Sequence, residues 1–215
     1  MRTFLLTIFF LIFSELSPAQ SLDWMWAKTN TGNYDDYGTS VINDNAGNSY
    51  IIGSFYSPTI TLGTTTLTNT QSGYSDVFIS KYDANGNVSW TKKIGGNIND
   101  AGSSIAVDNS GNVFVLGTFH SSSVSVAGKY TLTNTSTDSS SDVFIAKLNS
   151  SGTTLWAKKI NGTSYDYGTG IAVDNSGNSF IVGTFYSSSI TLGTTTLTNT
   201  HNGYSDVFVA KYDAS

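Results

Sequence analysis

Residues 105–119 read IAVDNSGNVFVLGTF: a short apolar run, an Asp-Asn-Ser-Gly-Asn turn, and a second run that is apolar on both faces. This is the pattern of two strands joined by a tight reversal, the second lying between packed sheets. Gly111 supplies the positive φ that lets such a turn close without strain. The stretch returns at 41–55 (VINDNAGNSYIIGSF) and at 171–185 (IAVDNSGNSFIVGTF). Other landmarks keep step with it. Trp26, Trp90 and Trp156 lie 64 and 66 residues apart, as do Asp44, Asp108 and Asp174, and Gly53, Gly117 and Gly183. Asp-Val-Phe opens at Asp76, Asp142 and Asp206, spaced 66 and 64 because the middle copy carries two extra residues around VAGKYTL and TSTDSSS. Self-similarity at a fixed period marks a repeat architecture. Copies one and three share ITLGTTTLTNT (60–70 and 190–200) and GYSDVF (73–78 and 203–208), which points to recent duplication.

One whole unit reads as four strands: 104–108, 113–119, 142–148 and 154–160. A Ser/Thr-rich excursion with a hairpin signal, ITLGTTTLT in the outer copies, separates the second from the third. Four antiparallel strands repeated in tandem is the blade pattern of a β-propeller, and no segment beyond the N-terminus has helical periodicity. The expected fold class is all-β, with about three propeller-type blades forming a partial propeller or open arc. The paired motifs DVFIAKLNSSGTTLWAKKI (142–160) and IAVDNSGN followed by a strand resemble the bacterial SBBP β-propeller repeat. The resemblance covers the whole chain after its N-terminal segment. It implies a propeller fold and export, as in secreted proteins of Bacteroidetes and related groups, but no single activity.

The N-terminus has its own character. Arg2 precedes an unbroken apolar run at 3–13, and Ser-Pro-Ala at 17–19 offers small residues for cleavage before Gln20. The run is about half the length of a membrane span. The expected organisation is therefore a signal peptide at 1–19 and a repeat region at 20–215, with units starting near Trp26, Trp90 and Trp156, and a secreted or cell-surface location. There are no cysteines, so burial and hydrogen bonds alone must hold the fold. Residues 23–28 (DWMWAK) read as a fourth strand and the chain closes on a third, 206–212. The first strand is thus the piece the last unit lacks. Three blades are fewer than the usual minimum of about four. A fragment of a longer protein is the preferred explanation, ahead of pairing with a second copy or an open arc.

Charge narrows the function classes. The only glutamate, Glu15, and the only arginine, Arg2, lie in the N-terminal segment, and the net charge is −5. Without arginine forks and with an acidic balance, nucleic-acid binding is not expected. Of the fourteen aspartates, eleven fall in repeat columns: Asp36/Asp100/Asp166, Asp44/Asp108/Asp174, Asp76/Asp142/Asp206 and Asp83/Asp213. An active site is built once, whereas a turn is needed in every blade, so Asp44, Asp108, Asp174, Asp76, Asp142 and Asp206 read as structural turn residues. A calcium loop is the competing reading of D-N-S-G-N, but its closing glutamate is missing. The unrepeated Asp23, Asp35 and Asp138 have no partner that suggests acid–base chemistry. His120 and His201 lack metal-ligand spacing, and no nucleophile elbow occurs.

One column is a candidate for binding. Tyr56, His120 and Tyr186 follow the second strand of each unit and either stack on a ligand ring or pack between blades, the second being the simpler role. The tryptophans read as core. The functional expectation is a non-enzymatic exported scaffold that binds an unknown protein or glycan partner, without cofactor or metal and without a membrane span after cleavage. Self-association could complete a ring. The alternatives are a fragment of a propeller enzyme acting on polysaccharide, and a calcium-stabilised adhesin.

Overall fold

In a computed structural model, residues 23–134, 140–201 and 203–214 are described. The expected signal-peptide segment and Asp138 lie outside them. Each Asp-Asn-x-Gly-Asn turn reverses the chain in the same way. The Asp44 amide donates to the Asn48 carbonyl (3.0 Å), Gly47 has φ +79°, and Asp44 Oδ1 accepts from the amides of Ala46 and Asn48 at 2.9 Å. Asp108 and Asp174 repeat these bonds, as does Asp83 one turn later in its blade. A carboxylate that accepts two amides of its own turn makes the reversal local, which is why these columns recur.

The turns string together seventeen strands among the described residues. The first blade holds β1 (Asp36–Asn43), β2 (Ser49–Phe55), a hairpin β3 (Thr59–Leu62) and β4 (Thr65–Thr68), then β5 (Asp76–Tyr82) and β6 (Val88–Gly95). The second holds β7 (Asp100–Val107), β8 (Val113–Phe119), a hairpin β9 (Ser123–Val126) and β10 (Tyr130–Thr133), then β11 (Asp142–Leu148) and β12 (Thr154–Ile160). The third has β13 (Asp166–Val173), β14 (Ser179–Phe185), a hairpin β15 (Ser189–Leu192) and β16 (Thr195–Thr198), then β17 (Asp206–Tyr212). The first two blades are antiparallel sheets in the order first, second, third, fourth strand. The third has the first three of these among the described residues, and each hairpin stands outside that order in its own blade. The fold is all-β and built of propeller-type blades.

Adjacent blades stack through a repeated contact. Gly102 on β7 faces Ile52 of the blade before it; a Cβ there would lie 2.5 Å from Ile52 Cγ1. Gly168 on β13 stands in the same relation to Leu116 and Val143, at 2.8 Å. Only glycine lets the sheets approach so closely at these points. A bulge follows each, at Gly102/Ser104 and Gly168/Gly170, and turns the strand across its neighbour. Hydrogen bonds sew the seam: Thr39 Oγ1 donates to the Gly102 carbonyl (2.8 Å) and the Gly102 amide to Ser54 Oγ (3.2 Å).

A second link crosses each seam. Ile94 and Gly95 at the end of β6 pair with Val126 and Ser125 of β9, so the hairpin of the second blade extends the sheet of the first. Asn161 bridges Thr191, and Thr31 bridges Thr61, at equivalent places. Because the middle blade is covered on both sides, all residues of β8 and β11 are buried.

Three expectations are corrected. The first strand begins at Asp100, four residues before 104, because the glycine and serine residues at its start are selected for blade contact and carry no apolar pattern. Residues 23–28 form no strand, and Trp24 is 92% exposed, since no neighbouring edge lies beside them. The repeated tryptophans Trp26, Trp90 and Trp156, expected in the core, are half-buried. Trp26 stacks on Tyr82 (5.9 Å between ring centroids), and Trp90 Nε1 donates to the Ser150 carbonyl of the next blade (3.0 Å). No helix among the described residues is long and apolar enough to cross a membrane.

Candidate functional site

The repeated carboxylates sit inside the scaffold. Asp36, Asp100 and Asp166 open the first strand of each blade, and each receives a serine from the loop after the second. Ser57 Oγ donates to Asp36 Oδ2 (2.9 Å), Ser121 Oγ to Asp100 Oδ2 (2.9 Å), and Ser187 Oγ to Asp166 Oδ2 (2.8 Å). Burial pushes the Asp100 carboxyl up to about 7, and the nearby Asp76 charge adds to the rise. Asp166 is raised to about 6 for the same reasons, with Asp142 as the neighbouring charge. Asp76, Asp142 and Asp206, expected at turns, instead open strands β5, β11 and β17. Asp76 is buried, accepts the Thr70 amide and hydroxyl at 2.7 Å, and pairs with Lys93 (3.0 Å). The Asp-Val-Phe motif opens a strand that is apolar on both faces, so its aspartate looks like turn chemistry only until Thr70 is seen to reach back to it.

The same end of the blades carries an aromatic surface. Asn33, Tyr34, Asp35, Tyr37, Tyr56 and Ser72 line a cleft of about 610 Å³ on the first blade. Tyr37 and Tyr56 meet edge to face with centroids 6.4 Å apart. Tyr34 is 68% exposed, and the Asp35 charge raises the Tyr37 phenol above its ordinary range. Tyr56 itself is half-buried. Among the described residues, no second unrepeated aspartate lines this cleft with Asp35, so the two-carboxylate arrangement of a glycosidase is not assembled there.

Across the next seam, His120 lies 6.3 Å from Tyr165, and Tyr165 stacks on Tyr167 at 6.4 Å with ring planes 8° apart. His120 Nδ1 is 3.2 Å from the Asn99 carbonyl, and burial lowers the imidazole's pKa. Tyr186 is exposed, and its amide donates to the Tyr165 carbonyl (2.9 Å). The column therefore splits its roles: His120 packs across a blade boundary, whereas Tyr186 presents its ring to solvent.

Sequence reasoning passed over Tyr34, Tyr37, Tyr165 and Tyr167. A signal was present in YDYG at 165–168, where two tyrosines flank the buried Asp166 with a period of two and so project away from it, and in DYG at 36–38, which keeps one of them as Tyr37.

A family model described as the SBBP beta-propeller repeat matches residues 155–184. This stretch is similar to the SBBP β-propeller repeat. It runs from β12 through β13 into β14, so the SBBP unit straddles a blade boundary and contains the Gly168 contact. An uncharacterized WD repeat-containing protein of Acanthamoeba polyphaga mimivirus is 34% identical to this chain over 119 residues. That alignment covers 53% of the chain and 8% of the viral protein, so the chain spans a small part of the relative's length. Together the SBBP match and the blade geometry make the chain a repeat scaffold.

Proposed function

We propose that this chain is an exported, non-catalytic interaction scaffold that binds a protein partner through the tyrosine-bearing loop end of its blades. The observation that carries the reading is the cleft formed by Tyr34, Tyr37 and Tyr56 with Asn33 and Asp35. Tyrosine offers a large amphipathic surface at low entropic cost, which is why it dominates binding hot spots. The buried carboxylates support the absence of catalysis: Asp76, Asp100 and Asp166 are held by serine, threonine and lysine groups of the scaffold and do not line the cleft. The apolar run after Arg2 and the small residues at 17–19 support export.

The test uses the native host. The chain recovered from the culture medium or cell surface should begin at Gln20. Immobilised, it should retain specific secreted proteins, and Tyr34→Ser with Tyr37→Ser should reduce that retention by about tenfold or more. Both rings are exposed, so the melting temperature should stay unchanged. Retention of neutral polysaccharide with no protein partner would replace this reading by a glycan-binding one. Equal retention by wild type and variant would remove the cleft from consideration.

A further inference from the structure

The two ends of the blade stack are halves of the same contact. Within the chain, the second and third strands of one blade present a face to the first strand of the next. In the first blade that face includes Ile52, Val77 and Ile79, and in the second Leu116, Val143 and Ile145; all six are buried. The equivalents in the third blade are Val182, Val207 and Val209, of which Val207 is 67% and Val209 70% exposed. At the other end, the receiving strand β1 carries Gly38, the counterpart of Gly102 and Gly168. Nothing lies within 4 Å of a Cβ built on Gly38. Val41, counterpart of the buried Ile105, is 63% exposed. One end thus offers an uncovered knob and the other an uncovered socket, both of a type already mated twice in this molecule.

A second observation concerns the edge of β17. In the first two blades the third strand pairs with a fourth, with Ile79 opposite Lys92 and Ile145 opposite Lys158. Among the described residues β17 pairs only with β14. The segment around Trp26 has the spacing of a fourth strand but is in no sheet. It already makes that strand's contacts to the following blade: Trp26 stacks on Tyr82, and Thr31 bridges Thr61. Any blade that docked on Gly38 would therefore bring its third-strand edge alongside this segment.

We infer that two copies of this chain dock head to tail, the β14–β17 face of each covering the β1 face of the other, to close a six-bladed ring. The segment around Lys28 supplies the fourth strand of the partner's third blade, with Val209 opposite the partner's Lys28. Six blades fall within the range of about four to eight seen in propellers. The contact is heterologous at each seam, and only a closing rotation prevents it from growing into a filament.

The absence of cysteine allows a clean test on the full chain. Sedimentation should show a two-chain particle. Lys28→Cys with Val209→Cys, oxidised under mild conditions, should give a covalent dimer, and neither single variant should. Gly38→Leu and Val207→Lys alter groups that are open in the single chain, so each should fold with an unchanged far-UV spectrum yet sediment as a monomer. Mixing those two variants should restore a dimer, because one intact seam survives. A monomer at tens of micromolar would overturn the proposal, as would a disulfide formed within one chain. Open polymers would overturn ring closure. A dimer lost with Val207→Lys but kept with Gly38→Leu would show tail-to-tail pairing and would also overturn it.

Discussion

Asp100 is buried against a seam, and its ionisation has a sign opposite to that of the turn aspartates. Its folded pKa, about 7, lies above the unfolded value near 3.9, so the folded chain binds this proton more tightly than the unfolded one. The stability it contributes is full below about pH 4, declines as the pH rises, and is lost above about pH 7. Asp166, raised to about 6, behaves likewise over a narrower window. Asp174 is lowered by its Asn178 hydrogen bonds and Asp83 by those from Asn87, so their contribution disappears only on acidification below about pH 4. The urea midpoint should therefore be higher at pH 5 than at pH 8, by a few kcal/mol at most in stability. Asp100→Asn should shrink that difference. With His120, whose lowered pKa works in the opposite direction, replaced by glutamine, a midpoint that still rose from pH 5 to pH 8 would mean that Ser121 and the Gly96 amide hold the carboxylate ionised despite its burial.

Strands with an apolar run are legible from the amino-acid pattern alone, because Val113–Phe119 and Asp142–Leu148 must be apolar on both faces when a blade is covered on both sides. The hairpins are legible too, from Gly63 and Gly193, whose positive φ (60° and 61°) turns Leu62 and Leu192 back on themselves. The start of each first strand is not. At Asp100 to Ser103 the residues are chosen for smallness and for a buried acid, and neither property has a strand's period. The aromatic site is half legible: Tyr56, His120 and Tyr186 share a column, but the rings met by the first two, Tyr37 on β1 and Tyr165 just before β13, share no column with them. The seam glycines make a sharp pair of predictions. Gly102→Ala places a methyl 2.5 Å from Ile52 and should cost about 1–3 kcal/mol in urea unfolding. Gly38→Ala meets nothing within 4 Å, so the single chain should lose no more than about 0.5 kcal/mol. Equal losses at the two sites would mean that the seam yields without strain.

At the scale of the whole molecule, burial falls off from the centre outward. The middle blade contributes Phe114, Leu116, Phe119, Val143, Phe144 and Ile145 as fully buried groups, whereas in strand β17 only Phe208 is buried and the rest alternate between half-buried and exposed. Stability in such an array is a sum of blade and seam terms, so the outer blades depend on their single seam. The hairpin β9–β10 gives this dependence a direction. Val126 belongs by sequence to the second blade, yet it pairs with Ile94 of the first. A lesion such as Val126→Asp should thus show its damage upstream: amide exchange should quicken about tenfold or more in β5 and β6, ahead of β8 and β11. Faster exchange confined to β8 and β11 would show that each hairpin serves only its own blade. Because a ribosome makes the first blade before the second, each sheet emerges unlatched and is fastened only when its successor arrives. Maturation therefore runs one blade behind synthesis.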